Sequence, residues 1–329
     1  MGGAWHTLRW QNVKHPLVAI VGPTASGKSE LALRIATTFS GEIVNCDALQ
    51  LYRGFDIGMA KTPVADRRNI PHHLLDVLDP PTRFSAGDYA RAAREIIAGI
   101  SFKGHLPLVV GGTGFYLRGL LEGLPALPGR DDLLRERLSA REQRRPGALH
   151  RLLTRLEPSA AARIHPRDVQ KLTRALEIRL LTGSALPAPS TARPLEGFRL
   201  LLIGLAPERS LLAAAIAART RRMFEAGGLV DEVRGLLEKG LSGEEKPFES
   251  LGYKQALAHL RGQMSLEQAV TSTEIATRQY AKRQLTWFRG SSKQDPRIVW
   301  FNGFGSDPKV VEACRMAIQA YLVDLQGNP

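Results

Sequence analysis

Residues 17 to 36 carry a pattern that few folds can accommodate. Leu17 to Val21 is a short apolar, β-branched run of the kind that forms buried strands. It breaks at Gly22, and Glu30-Leu-Ala-Leu-Arg-Ile-Ala then reads as a helix. The turn between them is Gly22-Pro23-Thr24-Ala25-Ser26-Gly27-Lys28-Ser29: a glycine, four residues, then Gly-Lys-Ser, the spacing of a phosphate loop. Gly22 and Gly27 let the backbone curl until successive N–H groups point into one concavity at the positive end of a helix. Lys28 adds a point charge on the outer phosphates, and the Ser29 hydroxyl is placed to reach a magnesium ion. A glycine-rich turn that binds nothing is the alternative, and the intact strand, loop and helix speak against it. The pattern implies a polyphosphate held in an α/β fold; it does not identify the polyphosphate or its fate.

The charge balance narrows the partner. Forty-five Lys and Arg against thirty-two Asp and Glu give a formal +13. Residues 130 to 180 contribute a net +6 and residues 278 to 297 a net +5, so two windows hold eleven of the thirteen excess charges. A polyanion larger than a nucleotide accounts for such clustering, and a solvated basic surface accounts for it equally. No apolar run approaches the ~20 residues of a membrane span. The two cysteines, Cys46 and Cys314, form no metal pattern, so the cytoplasm is the expected compartment.

Along the chain, Gly41-Glu-Ile-Val-Asn-Cys-Asp47 predicts a second strand ending on an acid. At the carboxyl end of a strand beside a phosphate loop, Asp47 is a candidate base or magnesium partner; a cap on the following segment is the competing reading. Gln50, Tyr52, Arg53 and Lys61 follow in a loop and are candidates to line the same crevice. Pro71 to Pro81 predicts a strand leaving for a loop, with His72 and His73 structural because further metal ligands at suitable spacing are missing. Ser85 is placed to cap a helix running to about residue 98. Leu106 to Val110 predicts a buried strand that delivers Gly111-Gly112-Thr113-Gly114, where a nucleoside triphosphatase would place an acid for its metal. The glycines predict exposed backbone N–H groups beside the phosphate site, and the missing acid argues against ATP hydrolysis.

From 131 to about 183 the pattern is helical throughout, and a Pro-rich linker at 188–194 leads to a strand at Phe198, so a basic helical segment is inserted in the α/β domain. Within it, Val169, Leu172, Leu176 and Leu180 are predicted to face one way and Arg167, Gln170, Lys171 and Arg174 the other, with Ile178 intruding on the polar side. Helices are predicted at 209–226, 229–239 and 272–290. The last carries Arg278, Lys282 and Arg289 on one stripe and Tyr280, Arg283 and Trp287 on another, which suits a phosphate backbone with unstacked bases or, equally, aromatic packing under snorkelling arginines.

These motifs in this order resemble the tRNA dimethylallyltransferase (tRNA isopentenyltransferase) family. The resemblance runs through the phosphate loop, Asp47 to Tyr52-Arg-Gly-Phe-Asp-Ile-Gly, Ala60-Lys61, His72-His-Leu-Leu-Asp and Phe84-Ser-Ala. It continues through Gly111-Gly-Thr-Gly, Arg167-Asp-Val-Gln-Lys-Leu-Thr-Arg-Ala-Leu-Glu, Leu251-Gly-Tyr and Arg278-Gln-Tyr-Ala-Lys-Arg-Gln-Leu-Thr-Trp-Phe-Arg. It implies an α/β, P-loop kinase-like core with a parallel sheet and a helical insertion domain that grips the anticodon stem. The implied limits are an extension at 1–14, a core of 15–128 and 198–305, an insertion of 129–197, and a C-terminal helix or tail at 306–329. The implied reaction moves a dimethylallyl group from dimethylallyl diphosphate to the exocyclic amine of adenosine 37 in tRNAs reading codons that begin with U. Magnesium is the implied cofactor, a monomer the implied state.

By the same resemblance Asp47 is the general base and Thr113 lies near the reacting centre. Gly22 to Ser29 and Arg219 hold the donor diphosphate. Contacts to tRNA are implied for Asp47, Ala48, Leu49, Gln50, Arg135, Gln170, Lys171, Arg174, Gly252, Tyr253, Lys254, Lys282, Arg283, Gln284, Thr286, Trp287 and Arg289. The chain departs from the family at Ala48, often Ser, at Met59, usually Thr, and at Lys171 and Lys254, commonly Arg. Rival readings are a P-loop small-molecule kinase, a prenyltransferase for free adenine nucleotides and a non-catalytic RNA-binding module; the first two leave the basic windows unexplained.

Overall fold

The computed structural model describes residues 14–186, 193–225, 228–292 and 298–327. The expected extension at 1–14 lies outside them apart from Lys14, as does most of the expected linker. The chain divides into two units, residues 1–121 with 195–329, and Glu122–Pro194. The breaks fall at Glu122 and Pro194, a few residues before the expected 129 and 197.

The larger unit is built on six strands: β1 (His15–Val21), β2 (Gly41–Asn45), β3 (His72–His73), β4 (Leu106–Val110), β5 (Phe198–Leu205) and β6 (Ile298–Phe301). All neighbours pair in parallel, in the order β3-β2-β4-β1-β5-β6. Every carboxyl end therefore lies on one edge of the sheet, and β1, flanked by β4 and β5, sits where the chain reverses its winding. Val18 and Ile20 of β1 join a core with Leu31 and Ile35 of α1 (Lys28–Phe39) and with Val310, Cys314 and Ile318 of α12 (Pro308–Gly327). Leu17 and Ala19, also buried, point to the opposite face by strand alternation. Burial on both faces is why β1 reads as an unbroken apolar run. The C-terminal segment, expected as a helix or tail, is thus a helical layer of the core.

Between them come α2 (Ala86–Phe102), packed along β2 and β4, and α3 (Gly114–Glu122). Ser85 caps α2 in a reciprocal box with Asp88. The strand expected to leave for a loop within 71–81 is His72–His73, and it ends there because Leu74 and Asp76 take left-handed φ values of 56° and leave the extended region. His73 and His105 each bond the buried carboxylate of Glu42, at 2.7 Å, and so serve the core as expected for structural histidines. Lys61 is no crevice residue either: its buried ammonium binds Tyr52 O at 2.6 Å, Asp56 at 2.8 Å and Asp76. After β5, α8 (Arg209–Phe224), α9 (Leu229–Glu238), α10 (Tyr253–Leu260) and α11 (Leu266–Ser292) pack in succession. No described helix is long and apolar enough to cross a membrane.

The smaller unit comprises α4 (Asp132–Arg144), α5 (Ala148–Leu156), the single turn α6 (Pro158–Ala161) and α7 (Val169–Thr182) around Leu138, Leu149, Leu153, Leu172 and Leu176. The predicted stripe holds only at its centre. Val169 and Leu180 are exposed, whereas Ile178 and even Glu177 are buried. Glu177 explains the imperfect wheel: it accepts from Asp131 N at 2.8 Å, from Arg135 Nε and Nη2 at 2.7 Å each, and from Arg174. Arg174 also donates to Pro128 O at 2.9 Å. Burial alone would raise the Glu177 carboxyl, but the bonds from Arg135, Arg174 and Asp131 N bring it down to about 2.

Candidate active site

Register brings three loops to one place. Ile20 pairs with Val110 and Ile203, and Val110 pairs with Asn45. Gly22, Gly112 and Asp47 each lie two residues beyond that single row, at the carboxyl edge of the sheet. In the first loop Gly27 takes φ 83°, a left-handed conformation that opens the helix, and a Cβ there would stand 2.9 Å from Gly305 N. Ser26 Oγ is buried with no partner among the described residues, the mark of a cradle built for a ligand's oxygens.

Two cations face this loop. Lys28 Nζ donates to Pro23 O at 2.7 Å, and Arg219 Nη1 donates to Thr24 Oγ1 at 3.0 Å. Desolvation lowers Lys28 to about 8; the Asp47 carboxylate opposes that and Arg219 adds to it. Arg219 is itself lowered by burial, again against the pull of Asp47. The three groups the sequence reading assigned to different motifs thus share one electrostatic field. Two recessed cations beside one carboxylate leave a surplus positive charge that favours an anion.

Asp47 Oδ1 accepts from Leu49 N at 3.0 Å, so this acid does cap the following segment, with one oxygen. Thr113 Oγ1 accepts from Ala48 N at 3.1 Å, which joins the second and third loops. The glycines of the third loop serve close approach more than open N–H groups. A Cβ on Gly111 would stand 2.1 Å from Cys46 O, and one on Gly112 would stand 2.1 Å from Gln284 Nε2. The Gly111 and Thr113 N–H groups are already bonded to Ile20 O and Cys46 O, each at 3.2 Å, which corrects the expectation that they are exposed.

Gln284 is the piece the sequence hid. It is 5% exposed, accepts from Thr24 N at 2.8 Å and donates to Gly112 O at 3.0 Å, tying the phosphate loop to the third loop. The Tyr280 hydroxyl lies one helical turn earlier, and burial with the Asp47 charge holds it well above the usual phenol range. Gly305 N donates to Ser26 O at 2.9 Å, a brace for which the sequence carries no signal beyond a glycine.

A family model described as IPP transferase matches residues 50–291. The tRNA dimethylallyltransferase of Solibacter usitatus is 54% identical over 310 residues, covering 93% of this chain and 99% of that protein. The chain belongs to the IPP transferase family. The tRNA dimethylallyltransferase of Koribacter versatilis is 48% identical, covering 90% of this chain and 95% of that one. Among solved structures, the full-length tRNA isopentenylpyrophosphate transferase of Bacillus halodurans superposes with a TM-score of 0.70 at 36% identity, covering 95% and 99% of the two chains. A eukaryotic dimethylallyltransferase acting on tRNA superposes with a TM-score of 0.81 at 27% identity, covering 96% and 81%. This chain is therefore a prenyltransferase with a P-loop-like α/β fold, and the small-molecule kinase reading falls.

For an IPP transferase, the residues expected to touch RNA, apart from Asp47, Ala48 and Leu49, divide into two sets. Gln170, Lys171, Lys254, Lys282, Arg283, Thr286, Trp287 and Arg289 are exposed. Arg283 lies over the Tyr280 ring, 5.9 Å from its centroid, and Arg289 lies 6.0 Å from that of Trp300. The other set carries internal bonds. Besides Gln284, Gly252 is buried, and Tyr253 is fully buried with its hydroxyl on Glu232 and Gly58 N. Arg135 and Arg174 hold Glu177, and half-buried Gln50 donates to Met59 O at 3.0 Å, a main-chain bond indifferent to methionine standing there. Buried polar side chains must be paired, and here the partners are internal.

Proposed function

We propose that the chain transfers a dimethylallyl group from dimethylallyl diphosphate to the exocyclic amine of adenosine 37 in tRNAs reading codons that begin with U, as a cytoplasmic monomer. The observation that carries the reading is the pair of desolvated cations, Lys28 and Arg219, facing the phosphate loop beside Asp47. A diphosphate neutralises the cations, and the acid then stands next to the carbon that the diphosphate leaves. In the reaction the amine nitrogen bonds to the allylic carbon as the bond from that carbon to the diphosphate oxygen breaks. Oδ1 of Asp47 is committed to the Leu49 amide, so the amine proton falls to Oδ2. An adenine amine is a weak nucleophile, and a base that removes its proton as the bond forms contributes ~100- to 10,000-fold. The growing charge on diphosphate is met by Lys28, Arg219 and the loop N–H groups. A stacked base cannot reach this edge, so adenosine must leave the stack, and the exposed bases Lys254 and Lys282 offer grip on the surrounding backbone.

Magnesium fits the site on one condition. Among the described residues no group of three His, Cys, Asp or Glu side chains is placed to hold a metal. Ser29, on the first turn of α1, would then be its ligand from the chain, the rest coming from diphosphate and water, which is how this ion is usually held. When bound it would add charge neutralisation at the leaving group.

Incubation with radiolabelled dimethylallyl diphosphate is expected to label tRNA, and neither AMP nor free adenosine; label in AMP would overturn the tRNA assignment. Donor affinity is expected to depend on pH through Lys28. Its pKa of about 8 means that the free enzyme loses the charge as pH rises, while a bound diphosphate favours the protonated amine. Affinity should be flat below pH 8 and fall by up to tenfold per unit above it, and Lys28→Arg should abolish the fall. A Kd constant from pH 7 to 9.5 would show that Lys28 does not face the donor.

A further inference from the structure

We infer that Asn45 is a positioning residue of the general base: its side chain holds both the N–H and the C=O of Asp47 and so aims the carboxylate. The inference rests on the assignment of Asp47 as base. Asn45 is the last residue of β2, 5% exposed, and its own backbone is in register with Val110. Beyond it the strand pairing stops, and the chain has to turn away while still delivering an acid to a defined point. The Asn45 amide does the work that a neighbouring strand would otherwise do. Oδ1 accepts from Asp47 N at 3.0 Å, and Nδ2 donates to Asp47 O at 3.0 Å and to Leu74 O at 2.8 Å.

The consequence is a turn in which each successive N–H is held by a side chain. Asp47 N is held by Asn45, Ala48 N by Thr113, and Leu49 N by Asp47 itself. Among the described residues no main-chain acceptor holds these three N–H groups, so a shift of Asn45 passes to the direction of the Asp47 carboxylate. The third bond of Asn45 anchors the pincer to a rigid support. Leu74 and Asp76 hold left-handed φ values of 56°, Asp76 is gripped by buried Lys61, and Asp76 N and Val77 N bond to Gln50 O and Leu51 O at 3.2 and 2.8 Å. An asparagine is required by the count of bonds: one acceptor and two donors at one planar group, which neither Asp nor Ser supplies. A buried asparagine that merely ends a strand would need partners too, but they need not both be peptide groups of the reacting acid.

The test is a cycle of Asn45→Ala and Asp47→Asn, singly and together, in the full-length enzyme. Single-turnover rates with pre-bound tRNA and donor are measured beside donor Kd and thermal unfolding. Asn45→Ala is expected to slow the chemical step by ~10- to 100-fold, with donor Kd within about twofold, since the phosphate loop is untouched. In the Asp47→Asn background the same change should cost less than about threefold, because the group it aims is gone. Asn45→Asp, which keeps the volume and the acceptor but loses both donors, should behave like Asn45→Ala and serves if the alanine variant does not fold. Equal losses in both backgrounds, or a loss that follows the unfolded fraction, would overturn the proposal. An unchanged rate in Asp47→Asn alone would instead remove the base assignment, and the proposal with it.

Discussion

Asp47→Asn is expected to lower the single-turnover rate of prenyl transfer by ~100-fold or more, from the usual worth of a base that takes a proton in the transition state. The substitution keeps the shape of the side chain, and the amide oxygen can still accept from Leu49 N as Asp47 Oδ1 does. The cap is therefore conserved while basicity is removed, which separates the observed cap from the proposed role as base. Binding of tRNA should change little, since one acid lost among many basic contacts is a small perturbation. Donor affinity should rise slightly or hold, because the asparagine no longer competes with diphosphate for Lys28 and Arg219. A rate within a few-fold of wild type, with tRNA and donor both bound, would leave Asp47 as a cap alone.

The second large effect is expected at Glu177→Gln. The carboxylate is fully buried and carries Arg135, Arg174 and Asp131 N. Gln keeps the volume but removes the charge, leaving two guanidinium groups around a neutral amide. Breaking a buried ion cluster from one side costs ~3–5 kcal/mol, against a domain stability of ~5–15 kcal/mol. Unfolding followed by hydrogen exchange should show residues 122–194 opening far more readily, with the sheet of the larger unit unaffected. The pH dependence has a definite sign. A carboxyl brought down to about 2 contributes stability that is complete above its unfolded value near 4.5 and is lost as pH falls from there toward 2. Wild type should therefore lose protection of the smaller unit in acid, and Glu177→Gln should show a weak dependence in that window. Equal exchange protection in the two proteins at pH 7 would remove Glu177 from its place as the centre of this unit. Arg174→Ala should resemble Glu177→Gln, which makes it a poor probe of RNA contact despite its place in a basic helix.

Much of the molecule was legible in the linear chain because the pertinent signals are local. The strand–loop–helix at 15–39, the capped helix from Ser85 and the apolar strands at β2 and β4 each follow from residues adjacent in sequence. One strand was missed. Ile298–Phe301 is only four residues, too short for periodicity to register. Glu177 was read past because an acid on a helix is normally solvated, and only the arginines arriving from Asp132–Arg144 and from its own preceding turn make its burial tolerable.

What the sequence by itself determined is the phosphate loop, the order of a parallel α/β core interrupted by a basic helical segment, and the identity of Lys28, Asp47 and Thr113 as the residues to watch. Those depend on spacing and side-chain type, which are carried along the chain. Tertiary structure alone decided which polar residues face the crevice and which hold it together. Gln284 sits in a motif rich in bases and Tyr253 beside Lys254, and both look like surface groups, yet the structure makes them a buried amide bridging Thr24 and Gly112 and a phenol between Glu232 and Gly58. The reason is that a buried polar group takes whatever partner the fold brings to it, from 260 residues away in the case of Thr24 and Gln284, and no local pattern encodes that meeting.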